Sequence, residues 1–436
     1  MSEAELVALV CCDLGAIVRG RSLPSGELAE HVDAGVGWVP ANHALTPIGT
    51  LAEPNPFGST GDLRLLPDLD TRVRVAHEDE LDPLELVLCD IAETDGSLWE
   101  CCPRTFLRSG LEELDSELGL HVRASFEHEF QLLDDAPAAL PFSLQAQRRA
   151  EPFPSLVVDA LKRAGACPQR FMPEFAPHQF EIPVAPADGL GAADRAIVLR
   201  EVVRDVARRI GTRASFTPLL DHAQAGNGVH VHISLLDRDG AAVLDDRARP
   251  AHLSELGASF AAGILEHAAA LSALSAPSPL SSARLTPHRW SAGAVCLALQ
   301  NREALLRIPP LVPAAGEDES HVRLEYRGAD ASANPYLALG AIVRAGLDGV
   351  RRELPAPPIL DRDPALLDGE QAERFCVGGL PATLEDALAA LAADETARAW
   401  LSPLLYDAYV AVKRAEIAAA AELDPQELCR RYAAIY

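Results

Sequence analysis

No Cys-x-x-Cys pair occurs among the nine cysteines of this 436-residue chain, so the usual spacing of a structural zinc site is missing. The cysteines are odd in number and scattered. The vicinal pairs Cys11–Cys12 and Cys101–Cys102 read as small buried apolar residues rather than as a redox centre. No stretch approaches the roughly 20 apolar residues of a membrane span. The opening run, MSEAELVALVCCDLGAIVRG, has neither a basic start nor a long apolar segment. Positive charge is also scarce: 38 Lys plus Arg stand against 64 acids, a net charge of −26. A field of that sign repels phosphate backbones and anionic lipid, so neither nucleic acid nor membrane is an expected partner. A cytoplasmic location is the expectation. There is no internal repeat.

What is present divides the chain in two. Residues 1–100 read as short strands and turns, and residues 101–436 as a larger mixture of helices and strands. The class is α+β. The Pro-, Gly- and Asn-rich segment 35–61 has no helical period and is long for a loop, which suits an ordered functional segment. Residues 104–119 predict a helix stopped by Gly119. The end of the chain, from about 382, reads as almost wholly helical.

The chemistry is concentrated in short runs. In SFEHEFQLL, residues 125–133, alternation places Glu127 and Glu129 on one face of a strand and Phe126, His128 and Phe130 on the other. Two neighbouring carboxylates repel unless protonated or bridged by a cation. Taken alone, the strand equally suits a solvated polar face. PEFAPHQFEI adds Glu174 and Glu181, GNGVHVHIS adds His230 and His232, and HVRLEYRGAD sets Glu325 between Arg323 and Arg327. Carboxylates with one imidazole suit Mg²⁺ or Mn²⁺, and the arginines of SARL, NREALLRIP and RLEYR suit phosphate oxygens. Together they outline a phosphoryl-transfer site.

In this order the motifs resemble the glutamine synthetase superfamily over nearly the whole chain. They are Glu127/Glu129, Glu174…Gln179-Phe180-Glu181, His230/His232/Ser234, Asn301-Arg302…Arg307-Ile308-Pro309, and Arg323-Leu324-Glu325-Tyr326-Arg327…Ala333-Asn334-Pro335-Tyr336. The resemblance implies a small N-terminal β-grasp domain and a large catalytic domain with a curved antiparallel sheet and helices. It implies two to three Mg²⁺ or Mn²⁺ ions per site, one on Glu129, Glu174 and Glu181 and another on Glu127, His230 and Glu325. ATP would be the co-substrate, near Arg307, Arg323, His232 and Ser234. Glutamate would meet Gly226, Arg284 and Arg327, with Arg302, Arg327 and Glu325 at the reacting centre. His128 and His178 stay structural. A homo-oligomer is implied, two rings of six forming a dodecamer.

Departures from the pattern point to the nucleophile. Ammonia-using members carry an Asp in the N-terminal loop, but residues 34–61 contain no Asp and only Glu53 as an acid. The flap Glu six residues after the arginine matched by Arg284 is replaced by Trp290, a family Asn by Ala225, and a family Gly by His178. These changes resemble the γ-glutamyl-amine ligases, which join glutamate to a small organic amine through a γ-glutamyl phosphate. Trp38 and Trp290 then become candidate walls of an amine pocket. The alternatives are an ammonia-using glutamine synthetase with a divergent site, and a catalytically silent homologue with a binding or structural role.

Overall fold

The computed structural model describes residues 5–79, 81–134, 136–289, 291–312 and 321–436. The first sheet contains β1 (Leu6–Cys12), β2 (Val18–Pro24), β3 (Val36–Trp38), β4 (Leu63–Pro67), β5 (Val73–Val75) and β6 (Leu84–Glu93). Its order is β2-β1-β6-β4-β3, with β5 also on β6. β1 and β6 run parallel, and the other pairs are antiparallel. Alternation in β4, Leu-Arg-Leu-Leu-Pro, sends Leu63 and Leu65 into the core. The segment after β3 is ordered and begins with a short 3₁₀ turn, Pro40–Ala44.

The second sheet contains β7 (Leu120–Leu132), β8 (Met172–Pro173), β9 (Gln179–Pro183), β10 (Ala187–Asp188), β11 (Ala214–Ser215), β12 (Val229–Asp237), β13 (Ala294–Leu299), β14 (Ala304–Ile308), β15 (Leu324–Ala329) and β16 (Ile359–Leu360). Its order is β16-β13-β14-β15-β12-β7-β9-β8, and β10 and β11 pair with β7. The strands are antiparallel from β8 through β14, but β13 runs parallel to both β14 and β16. The antiparallel sheet that the resemblance implies is present, with a parallel edge at β13 and β16. β16 joins β13 in parallel after the helix Pro335–Arg351 has intervened.

Helix Pro103–Leu118 ends as its sequence predicts, with Gly119 in the left-handed region at φ 65° accepting the C-cap position. Helices Gly189–Arg209 and Pro335–Arg351 lie behind β7, and residues from both surround Phe126 and His128. The chain closes with helices Leu384–Ala393, Glu395–Trp400, Pro403–Ala420 and Pro425–Ile435. Among the described residues, no single helix is long and apolar enough to cross a membrane.

Buried polar ties hold the first sheet to the rest. Arg200 donates to the carbonyls of Ala331 (2.7 Å) and Ala16 (3.2 Å), and Asn334 Nδ2 donates to those of Asp13 (2.9 Å) and Cys12 (3.1 Å). The Tyr436 hydroxyl donates to Gly15 O at 2.7 Å. Both vicinal cysteine pairs are free thiols sunk in this core. Burial pushes the Cys12 thiol up to about 12, with Arg200 pulling the other way.

Candidate active site

Strand register assembles the acids. Glu129 of β7 lies opposite Glu181 of β9, and Glu127 lies opposite His230 of β12. One strand further, His232 faces Glu325 of β15, which in turn faces Arg307 of β14. Because side chains alternate, these residues rise from one face of the sheet. His230 Nδ1 is 3.2 Å from Glu127 Oε2 and 4.0 Å from Glu325 Oε1, while its Nε2 is 3.9 Å from Glu129 Oε1. His232 Nε2 is 3.3 Å from Glu127 Oε2.

A cavity of about 570 Å³ opens over this row. Its lining includes Glu127, Glu129, Glu174, Glu181, His230, His232 and Glu325, together with Arg302, Arg307, Arg323 and Arg327. A smaller adjoining space of about 90 Å³ shares Glu127, His232, Arg170 and Arg323 with it and adds Ser234, Ser125, Gln169 and Arg123. The candidate nucleotide residues His232, Ser234 and Arg323 thus border an arginine-rich extension of the cavity. Arg307 Nη1 donates to Glu325 Oε2 at 2.5 Å, Arg327 pairs with the other Glu325 oxygen, and Arg327 Nε donates to Arg302 O at 3.0 Å.

Other predicted residues fall elsewhere. Arg284 is buried behind the 226–228 turn and donates to Ala329 O at 2.8 Å and Gly328 O at 3.3 Å. Gly226 is required there, since a Cβ would meet Pro218 O at 2.2 Å and Arg284 Cγ at 2.8 Å. Trp38 is 5% exposed in the core of the first sheet and does not line the cavity. Trp290 lies outside the described residues. Glu53 sits in a surface groove against helix Pro403–Ala420. His128 is buried behind β7, where burial drives its pKa down to about 3, and His178 Nε2 lies 2.8 Å from Ala136 O.

Two amides that the motif pattern leaves without a role organise the acids. Glu129 Oε2 accepts the Gly228 N–H at 2.9 Å and Gln179 Nε2 at 3.2 Å. Gln179 also donates to Gly226 O at 2.9 Å and Asn227 Oδ1 at 3.0 Å. Asn227 donates to Thr217 O at 2.9 Å. The one available signal was position: Gln179 lies in the Gln-x-Glu run and Asn227 between two glycines.

The electrostatics divide the carboxylates. Burial works against the charge of Glu325, yet His232, Arg327, His230 and Arg307 hold its pKa to about 2. Glu127 likewise lies well below its ordinary value despite burial, through His232 and His230. Glu174 is pushed up to about 8 by burial and by the charge of Glu129. Glu181 is raised well above the carboxylate range by burial and by Glu127 and Glu129. Such crowding is relieved by a cation.

The donor set fits divalent ions. Ligand atoms of Glu127, His230 and Glu325 lie within 4.8 Å of one another, as do those of Glu129, Glu181 and His230. Carboxylate oxygens and one imidazole are hard donors suited to Mg²⁺ or Mn²⁺. His230 belongs to both compact sets, while Glu174 lines the cavity beside them. Divalent cations held here would neutralise phosphate oxygens, and the surrounding guanidinium groups would orient those oxygens.

Comparison with known proteins agrees with this geometry. Family models described as the glutamine synthetase N-terminal domain and the glutamine synthetase catalytic domain match residues 1–99 and 100–431. The γ-glutamylpolyamine synthetase GlnA3 of Streptomyces coelicolor is 33% identical over 98% of this chain and 92% of its own length. The glutamine synthetase of Methanocaldococcus jannaschii is 31% identical over 81% of this chain and 79% of its own. A crystal structure described as a novel glutamine synthase homolog superposes with a TM-score of 0.91 at 46% identity, covering 100% of this chain and 99% of the other. The ADP complex of GmaS superposes with a TM-score of 0.83 at 26% identity, covering 98% and 96%. The chain belongs to the glutamine synthetase family, whose members are ATP-dependent ligases that form carbon–nitrogen bonds from glutamate and an amine or ammonia.

Proposed function

We propose that this enzyme joins the γ-carboxylate of glutamate to a small organic amine through a γ-glutamyl phosphate. The observation that carries the reading is an absence of spare acid. Among the described residues, every carboxylate lining the cavity, Glu127, Glu129, Glu174, Glu181 and Glu325, belongs to the proposed cation-ligand set. Selecting the small ammonium ion calls for a further carboxylate to attract it and take its proton. Residues 34–61 offer only Glu53, and position 290 is a tryptophan. The full-length similarity to a γ-glutamylpolyamine synthetase supports the reading, and similarity to glutamine synthetases at comparable identity keeps ammonia as the competing nucleophile.

In this proposal Glu127, Glu129, Glu174, Glu181, His230 and Glu325 hold two to three Mg²⁺ or Mn²⁺ ions. Arg307, Arg323, His232 and Ser234 meet ATP. Gly226, Arg284 and Arg327 meet glutamate, and Arg302 and Arg327 face the transferring phosphoryl group. Trp290 supplies an apolar wall for the amine. Trp38, buried in the first sheet, would contribute only across a subunit boundary of a dodecamer. The first sheet would be the N-terminal domain over residues 1–100.

The test is phosphate release with ATP, Mg²⁺, glutamate and either ammonium or a panel of alkylamines, polyamines and arylamines, with mass spectrometry of the products. Organic amines are expected to exceed ammonia by at least about tenfold in kcat/KM, on the order of 1.4 kcal/mol. Ammonia as the best nucleophile would return the enzyme to an ordinary glutamine synthetase. Arg302→Lys keeps the charge but loses the two-pronged grip on phosphoryl oxygens, and turnover is expected to fall more than about threefold.

A further inference from the structure

We propose that Glu303 is a positioning residue that ties residues 285–289 to the turn carrying Arg302, and so keeps phosphoryl transfer coupled to bond formation. Nothing in the motif pattern assigns it a role. It follows Arg302 directly, in the short link between β13 and β14. Its Oε2 accepts the backbone N–H of His288 at 3.0 Å. His288 holds φ 62°, a left-handed conformation unfavourable for a residue with a side chain, so an acceptor at its N–H helps to retain it.

The anchor itself is braced. Glu303 N–H donates to Asn301 Oδ1 at 2.9 Å, and its carbonyl accepts Ala294 N–H at 3.2 Å. Gly293 leaves the carboxylate its room: a Cβ there would lie 3.3 Å from Glu303 Oε2 and 3.0 Å from Pro287 Cα. The other side of the segment is held by Arg289, which donates to the carbonyls of His222 and Gln224, each at 2.8 Å. These carbonyls belong to the loop that leads into the 226–228 turn.

The consequence is a continuous linkage. The segment starts at Arg284, packed against Gly226 and Gly228. It is fastened at His288 to Glu303. The neighbouring Arg302 lends its side chain to the cavity and its carbonyl to Arg327. Loss of the carboxylate frees both the segment and the Arg302 turn. Water can then take the place of the nitrogen nucleophile, giving net hydrolysis of ATP to ADP and phosphate without a new carbon–nitrogen bond.

The experiment measures phosphate released per amide formed, using whichever nucleophile serves the wild type best. Failure of the organic-amine reading therefore leaves this test intact. Glu303→Ala is expected to lower kcat/KM for the nucleophile at least about tenfold and to raise the phosphate-to-amide ratio at least about threefold, with KM for ATP within about twofold. Glu303→Gln keeps an oxygen that can accept the same N–H and is expected to stay within about threefold of wild type. Gly293→Ala crowds the carboxylate without removing it and should uncouple in the same direction, which keeps the test usable if Glu303→Ala folds poorly. A phosphate-to-amide ratio unchanged in both Glu303→Ala and Gly293→Ala overturns the proposal. So does a Glu303→Gln variant as uncoupled as Glu303→Ala.

Discussion

Arg104 and Glu181 are both buried ionisable side chains, and their surroundings treat them in opposite ways. Arg104 stands among three acids: it donates to both Asp194 oxygens at 2.9 and 3.1 Å, to Asp68 at 2.7 Å and to Asp90 at 3.2 Å. Burial opposes its charge, yet Asp194 and its neighbours raise its pKa above the ordinary value. Glu181 sits among Glu127, Glu129 and Glu174, and both burial and repulsion drive its pKa up. The first cluster is complete as it stands and ties the first sheet to the helices Pro103–Leu118 and Gly189–Arg209. The second is unfavourable without a bound cation. Buried charge that is satisfied serves the fold, and buried charge that is left in conflict marks where a ligand belongs.

Removing ligands from the conflicted cluster should have the largest effect. Glu127→Ala and Glu129→Ala, or removal of divalent ions from the wild type, should cut amine-dependent phosphate release at least about 1,000-fold, roughly 4 kcal/mol of transition-state stabilisation. Circular dichroism should show the fold retained. Near wild-type turnover in both variants would dismiss the cation assignment.

The satisfied cluster should respond in stability instead. Arg104→Met leaves Asp194 buried without its cation and is expected to cost about 3 kcal/mol in denaturant unfolding. A cost below about 1 kcal/mol would place Arg104 with ordinary surface pairs and blur the contrast.

His267 offers a second satisfied centre. Its Nδ1 lies 2.6 Å from Asp394 and its Nε2 3.0 Å from Asp348, with Arg352 also bonded to Asp348 and Trp400 packed edge-on. A carboxylate at each nitrogen favours the imidazolium form of the ring. Burial opposes that charge, and Asp348 and Asp394 still raise the pKa. A raised folded pKa gives stability that is fully present below the unfolded value near 6.5 and fades as pH rises through the folded value. His267→Gln should therefore cost about 2 kcal/mol at pH 6, and the gap to wild type should narrow by pH 9. A gap that widens with pH would reverse the assignment.

The smallest effect has the opposite sign. With divalent ions chelated at neutral pH, burial and the neighbouring acids force a proton onto Glu181 as the chain folds, so Glu181→Gln removes that cost and is expected to stabilise the protein by about 1 kcal/mol while abolishing activity. A destabilised, chelated variant would mean that the cluster is not in conflict.

Much of this was legible because strands alternate. The period of two in residues 125–133 places Glu127 and Glu129 on one face and buries Phe126, His128 and Phe130 on the other, as the structure has them. Helix Pro103–Leu118 was legible from Gly119, whose missing Cβ permits the left-handed cap. Strand neighbours were not. β9 meets β7 from about fifty residues away and β15 meets β12 from about ninety, and neither pairing has a local signature. Trp38 suits a pocket wall when read among turn residues, but pairing of β3 with β4 sends it into the core. Gln179, read only as part of its motif, and Asn227 were given no role because a side-chain amide is recognised by the groups it bridges, and those come from three separate segments.

The sequence by itself determined the donor types, their placement on strand faces and the family: carboxylates and one imidazole for cations, guanidinium groups for phosphate oxygens, and no acid in residues 34–61 beyond Glu53. These follow from chemistry and local period, which the order of residues carries directly. Only the tertiary structure decided that His230 lies between both pairs of acids, that Glu174 is held near 8 while Glu325 lies near 2, and that Glu303 grips the backbone at His288. Desolvation and Coulomb energies depend on distance through space and on burial, and separation along the chain specifies neither.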